Sequence, residues 1–178
     1  MQIEATRILD DLALARSPED GLRRIDAWRS EMAPGSIFSI QQNVTTAAHP
    51  AGEIWLRRFY SSEAQEFPVN GGKRKSLTPW TECVFVRGQV FVGEGAHVLE
   101  QHFDDYAQMR PLGLQSVVNV PLLRDNSCYA TFNVFAPQAA WDPKQVTGFR
   151  LLALVAARWV PAAPDLACRL TVPASMEA

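Results

Sequence analysis

Residues 109–135, MRPLGLQSVVNVPLLRDNSCYATFNVF, constrain the fold more than any other segment. Two apolar stretches rich in β-branched and aromatic residues flank Asp125-Asn126, a pair suited to the positive backbone angles of a two-residue hairpin turn. A nearly buried hairpin is expected, yet Ser116, Asn119, Tyr129, Thr131 and Asn133 are threaded through it. A strict two-residue turn sets Leu122 opposite Tyr129, Val120 opposite Thr131, Val118 opposite Asn133 and Ser116 opposite Phe135. One face then carries Val117, Pro121, Leu123, Cys128, Ala130, Phe132 and Val134, interrupted only by Asn119. On the other, Ser116, Tyr129, Thr131 and Asn133 stand among Val118, Val120, Leu122 and Phe135. The first face is suited to packing on helices, the second to lining a cavity whose hydrogen-bonding groups orient a ligand.

The rest of the chain supplies partners for this hairpin. Ile8, Leu9, Leu12 and Leu14 recur near helical spacing within residues 4–16, and Ser17-Pro18-Glu19-Asp20 offers an N-cap, a proline for the first turn and acidic residues beside it. A second helix is expected over 18–32, with Leu22, Ile25, Trp28 and Met32 on its apolar side and Pro34-Gly35 as its stop. Residues 36–44 and 54–60 read as paired strands, 61–77 as a long polar loop, and 88–92 as a further strand. Thr78-Pro79 starts a short helix with Glu82 near the capping-box position, and helical segments follow from Ala96, broken by Pro111 and closed by Gly113. Asp142-Pro143 opens a helix to about Trp159 that is apolar around much of its circumference, which suits burial against the sheet and against a terminal helix or a second subunit. The tail after Pro161 reads as irregular, with LACRLTV at 166–172 able to add an extended segment.

A chain of 178 residues with 47% hydrophobic side chains suits one domain. The net charge of -2 and pI near 5.9 provide no field for binding phosphate backbones, so nucleic acid is not an expected partner. The first residues, MQIEATRILDDLALARS, carry acids where a secretory signal places lysines, and no stretch reaches the roughly 18 apolar residues of a membrane span. A cytoplasmic protein without a membrane partner is expected. Cys83, Cys128 and Cys168 are odd in number and far apart, which indicates buried thiols rather than a disulfide framework or a CxxC metal site.

Residues 103–135 (FDDYAQMRPLGLQSVVNVPLLRDNSCYATFNVF) and then WDPKQVTGFRLLALVAARWV resemble the GAF domain family. The match consists of an acidic stretch, a Leu-Gly-Leu-x-Ser turn, a strand ending Val-Pro-Leu, a hairpin, a second strand, a loop and a long C-terminal helix. It extends as an architecture over about residues 17–160, leaving 1–16 as an N-terminal helix and 161–178 as a tail. The resemblance implies an α+β, profilin-like fold: a six-stranded antiparallel sheet, terminal helices on one face and a ligand pocket on the other, roofed by the intervening loops and short helices. The family's usual hairpin glycine is replaced by Ala130, and the Asn-Lys-Phe-Asp-Glu signature of cyclic-nucleotide-binding members is absent. The missing signature argues against a cyclic nucleotide.

The candidate ligand-binding set is Ser116, Tyr129, Thr131 and Asn133 with Trp80, Thr81 and Glu82 from the roof; the resemblance adds Asp104 and Asp105 as pocket-rim residues. Polar groups in an apolar cavity orient a ligand because leaving them unpaired costs about 1–3 kcal/mol each. Each alone is equally accounted for by a bond to backbone or water. Arg57, Arg58, Lys73, Arg74 and Lys75 form a candidate cationic rim for a carboxylate or phosphate, although such runs are more often simply solvated. GGKRKS lacks the spacing of a phosphate-binding loop. His97 and His102 lie five apart and do not share a helix face, so no metal is expected with Asp104 and Asp105.

Within the family, free methionine sulfoxide reductase uses reactive cysteines around its pocket. Here Cys83 falls in the roof, Cys128 on the helix-packing face and Cys168 in the tail, so the thiols do not align as nucleophile and resolving partner. The expected function is that of a sensory or regulatory ligand-binding domain for a small polar or anionic metabolite. It is expected to form a homodimer through the terminal helices and to signal through that interface or to a separate output protein. No cofactor is specified and no catalytic residue is assigned. The alternatives are an interaction module whose pocket is filled by Tyr129, Phe135 and Trp80, and a small redox enzyme.

Overall fold

The computed structural model describes residues 5–167. Helices α1 (Ala5–Ala13) and α2 (Pro18–Met32) precede strands β1 (Ile37–Asn43), β2 (Glu53–Ser61) and β3 (Gly72–Ser76). A one-turn helix α3 (Pro79–Thr81) widens into a π-turn over Glu82–Val86, and β4 (Phe91–Glu94) follows. Short helices α4 (Ala96–His102) and α5 (Tyr106–Met109), a 3-10 turn (Arg110–Leu112), the hairpin β5 (Ser116–Arg124) and β6 (Ser127–Ala136), and α6 (Pro143–Ala156) complete the order. The strands form the expected six-stranded antiparallel sheet in the order β3-β2-β1-β6-β5-β4.

The sheet divides the interior into two apolar layers. On one face α1, α2 and α6 bury Leu12, Ile25, Phe149 and Leu152 against Phe38, Ile40, Phe132 and Val134. On the other the connecting segments bury Trp80, Phe85, Leu99 and Phe103 against Leu56, Val117 and Phe135. The helix starts form where cap and proline coincide. Ser17 Oγ accepts the Asp20 N–H at 3.1 Å, and Asp142 and Gln145 make a reciprocal capping box. At α3 the box is completed by Thr81 rather than Glu82. No described helix is long and apolar enough to cross a membrane.

The hairpin departs from its expected register for a local reason. Asp125 and Asn126 adopt φ of 50° and 62°, and Arg124 pairs with Ser127, so the two-residue turn forms. Leu123 then pairs with Cys128, but Leu122 pairs with Ala130. Tyr129 is an extra residue, a β-bulge, and from there the strands run one residue out of the strict register. Val120 faces Phe132, Val118 faces Val134 and Asn119 faces Asn133. A one-residue slip exchanges the faces of a strand. Val118, Val120 and Leu122, expected at the cavity, join the terminal-helix layer, whereas Val117 and Asn119 turn to the roofed side. Tyr129 goes to the helix layer and Cys128 to the roofed layer, the reverse of their expected placement.

The expected loop over 61–77 contains a strand. Gly72–Ser76 pairs with β2 at the sheet edge, where charged side chains are the usual occupants because they discourage further pairing. The expected strand over 88–92 lies later, at Phe91–Glu94, and α6 ends at Ala156 instead of near Trp159. Cys168 and the remainder of LACRLTV lie outside the described residues.

Candidate functional site

Two rows of polar side chains cross the roofed face of the sheet. In the first, Arg58 on β2 faces Gln41 on β1, which faces Thr131 on β6. In the second, Ser61 faces Ser39, Ser39 faces Asn133, and Asn133 faces Asn119. A second bulge builds the first row: Ile40 pairs with Tyr60 but Gln41 pairs with Arg58, which leaves Phe59 as the extra residue and aims Arg58 at the roofed side. Arg57 falls on the opposite face, where it donates to Gln42 Oε1 at 3.0 Å.

Above these rows lies a cavity of about 40 Å³, bordered by Lys73 and Lys75 of β3 and by Trp80, Phe103 and Asp105 of the roof. Trp80 Nε1 donates to Asn119 Oδ1 at 2.8 Å, Asn119 Nδ2 donates to Asn133 Oδ1 at 2.7 Å, and Asn133 Nδ2 donates to the Thr131 carbonyl at 3.3 Å. This chain fixes the roof indole to the floor. At the other end, Asp105 accepts from Lys73 and stands 3.8 Å from Arg58. Burial pulls the Arg58 guanidinium and the Lys73 ammonium below their ordinary pKa values, and the Asp105 charge offsets part of that fall.

Four buried polar atoms at this cavity have no hydrogen-bond partner within the protein: Gln41 Oε1, Arg58 Nε, Asp105 Oδ1 and Thr131 Oγ1. Buried polar groups are normally paired, and these four exceptions are gathered around one cavity.

Trp80, Asp105, Thr131 and Asn133 of the sequence-derived set line this cavity. Asp104 sits on its outer side, with its side chain 77% exposed and Lys75 Nζ at 2.5 Å. Thr81 is fully buried but turned to the chain, its hydroxyl donating to the Ser76 carbonyl at 2.9 Å. Glu82 pairs with Arg87. Ser116 Oγ donates to the Gln138 carbonyl at 2.6 Å. Tyr129 lies under α6, where its hydroxyl donates to the Ala157 carbonyl at 3.3 Å and burial pushes the phenol pKa up. These last four residues do not reach the cavity.

Of the five cations, Arg58, Lys73 and Lys75 border the cavity, while Arg74 stays exposed beside Glu53. Ser39, Gln41 and Asn119 belong to the rows although the sequence did not single them out as ligand contacts. The alternation of Ser39 and Gln41 with Phe38 and Ile40 was the signal that would have found the first two. Lys75 also borders a second, open groove of about 240 Å³ with Glu53, His102 and Asp104. Among the described residues, no cluster of His, Cys, Asp or Glu is arranged to hold a metal. Burial pushes the Cys83 thiol pKa up, the opposite of what an activated nucleophile requires.

The chain matches no protein-family model and none of the curated proteins searched. It does resemble solved structures. One is the GAF domain of a phosphoenolpyruvate-protein phosphotransferase from Coxiella burnetii, at TM-score 0.64 and 13% identity over 86% of this chain and 88% of that one. Another is the GAF domain of a two-component sensor histidine kinase from Bacillus halodurans, at TM-score 0.59 and 12% identity over 81% of this chain and 96% of that one. A third is the chromophore-binding domain of a bacteriophytochrome from R. palustris, at TM-score 0.57 and 9% identity, covering 86% of this chain but only 58% of the other. The fold is GAF-like.

Proposed function

We propose that this GAF-like chain is a sensory or regulatory domain that binds a small polar metabolite in the roofed cavity. The observation that carries the reading is the convergence of Gln41 Oε1, Arg58 Nε, Asp105 Oδ1 and Thr131 Oγ1, all buried and unpaired, on one cavity. Stability alone favours apolar residues at such positions, and a ligand that completes these bonds recovers the cost of leaving them open. The sensor histidine kinase and bacteriophytochrome among the similar structures support the regulatory part of the reading by analogy of fold. Leu9 on α1, Leu14 just beyond it, and Leu151 and Leu154 on α6 are exposed, which supports homodimerisation through the terminal helices. In this reading the signal passes through that dimer interface or to a separate output protein in the cytoplasm.

The test is a thermal-shift screen of small polar metabolites on the wild-type chain and on Thr131→Val. The reading expects at least one compound to raise the wild-type Tm and to lose most of that effect in the variant. Compounds that stabilise both proteins equally would remove the cavity from the account.

A second reading, an interaction module with a filled pocket, is favoured by the placement of Trp80. Its indole occupies the space above the floor, anchored on Asn119, and little volume remains.

A further inference from the structure

We infer that the cavity selects a small carboxylate bearing a hydrogen-bond donor on the neighbouring carbon, that is, a 2-hydroxy or 2-amino acid of two or three carbons. This rests on the binding reading above and names its ligand class. Two of the four unpaired atoms have fixed polarity. An ionised Asp105 oxygen only accepts, and Arg58 Nε–H only donates. One ligand that satisfies both must present a donor and an acceptor together. Gln41 Oε1 calls for a second donor, which an ammonium supplies and a single hydroxyl does not, and the Thr131 hydroxyl serves either role. A plain carboxylate leaves Asp105 Oδ1 open, and a plain amine leaves Arg58 Nε open.

Charge points to the carboxylate as the acceptor. Asp105 is shared by two cations, Lys73 and Arg58, while Lys75 is matched by Asp104. The inner cluster therefore carries one surplus positive charge. The guanidinium is better met by an oxyanion than by a neutral carbonyl.

Size sets the carbon count. Some 10–15 Å³ of such space is needed per water-sized group. A cavity of about 40 Å³ therefore holds about three or four water-sized groups, the scale of a two- or three-carbon acid and not of a nucleotide or a tetrapyrrole.

The test is calorimetric titration of the full chain with four two-carbon compounds: glycolate, glycine, acetate and ethylamine. The inference expects glycolate or glycine to bind at least about tenfold more tightly than acetate and ethylamine, and the tighter of the two identifies the donor as hydroxyl or ammonium. In Asp105→Asn, which removes the inner anion, acetate should gain affinity and the preference should shrink. The wild-type ranking stands even if that variant fails to fold. Acetate equal to or tighter than both donor-bearing acids would overturn the ligand class and leave the binding reading intact. Binding of none of the four would also overturn it. In that case a different small molecule retained in the native mass spectrum would preserve the binding reading, and the absence of any would remove that reading too.

Discussion

Asn119 and Asn133 face each other across β5 and β6, and the amide of Asn119 donates to the Asn133 oxygen at 2.7 Å while its own oxygen accepts the Trp80 indole N–H. Both asparagines are buried, at 0% and 4% exposure, so the contact links roof to floor out of reach of water. Replacing Asn119 by leucine strands the Trp80 N–H and the Asn133 oxygen together. The expected loss is about 2–6 kcal/mol of unfolding free energy, from two buried groups left unpaired at about 1–3 kcal/mol each. Urea unfolding of the variant measures it, and a change below about 0.5 kcal/mol would show that the chain does not anchor the roof.

Thr131 and Tyr129 make a contrasting pair. The Thr131 hydroxyl is buried and unpaired, so Thr131→Val, which keeps the shape, should stabilise the unliganded protein by about 1 kcal/mol while weakening ligand binding. Tyr129→Phe removes the bond to the Ala157 carbonyl, should cost about 1 kcal/mol, and should leave ligand affinity unchanged. Chemical denaturation with and without ligand separates the two behaviours.

The contrast also marks where the sequence stops being readable. Ser17-Pro18 announces α2, and the alternation in β6 places Thr131 and Asn133 together, because caps and strand period act locally. The two bulges carry no such signal. Neither Tyr129 nor Phe59 is a glycine, and each bulge depends on the neighbouring strand it must match. As a result the strict register sets Asn119 on the wrong face and groups Ser116 and Tyr129 with a cavity they do not reach. Edge strand β3 was hidden by its own charges, since Lys73-Arg74-Lys75 reads as a solvated run until the strand aims its two lysines inward.

Lys75 borders both the inner cavity and the outer groove, and its partner Asp104 is largely exposed. The pair is positioned as a latch between strand β3 and the segment joining α4 and α5. Asp104→Asn should raise the ligand association rate severalfold and, because it leaves the buried Lys75 ammonium without its partner, lower stability by about 1–3 kcal/mol, more than a fully exposed pair contributes. Stopped-flow binding at two salt concentrations checks this, because screening should accelerate the wild type more than the variant.

Lys73 has a folded pKa below its ordinary value because of burial. The unfolded chain therefore holds more protons in the window between the folded value and the ordinary lysine value near 10.4, and the contribution of Lys73 to stability rises with pH there. Below the folded value its cost is constant. Tyr60 and Tyr129, whose phenols are pushed up by burial, act with the opposite sign above about pH 10. The Lys73 contribution is read as the unfolding free energy of wild type minus that of Lys73→Gln, a signed difference that should rise as pH goes from about 8 to 11. A signed difference that falls over that range would contradict the burial of this ammonium.

The central claim is that the unpaired polar atoms around the cavity belong to a ligand site. The most direct measurement is a native mass spectrum of the gently purified chain beside its denatured mass. The account predicts a dimer that carries a reproducible additional mass, lost on denaturation and reduced in Thr131→Val. A species with no retained mass, and unchanged by the donor-bearing acids that the cavity should admit, would contradict it.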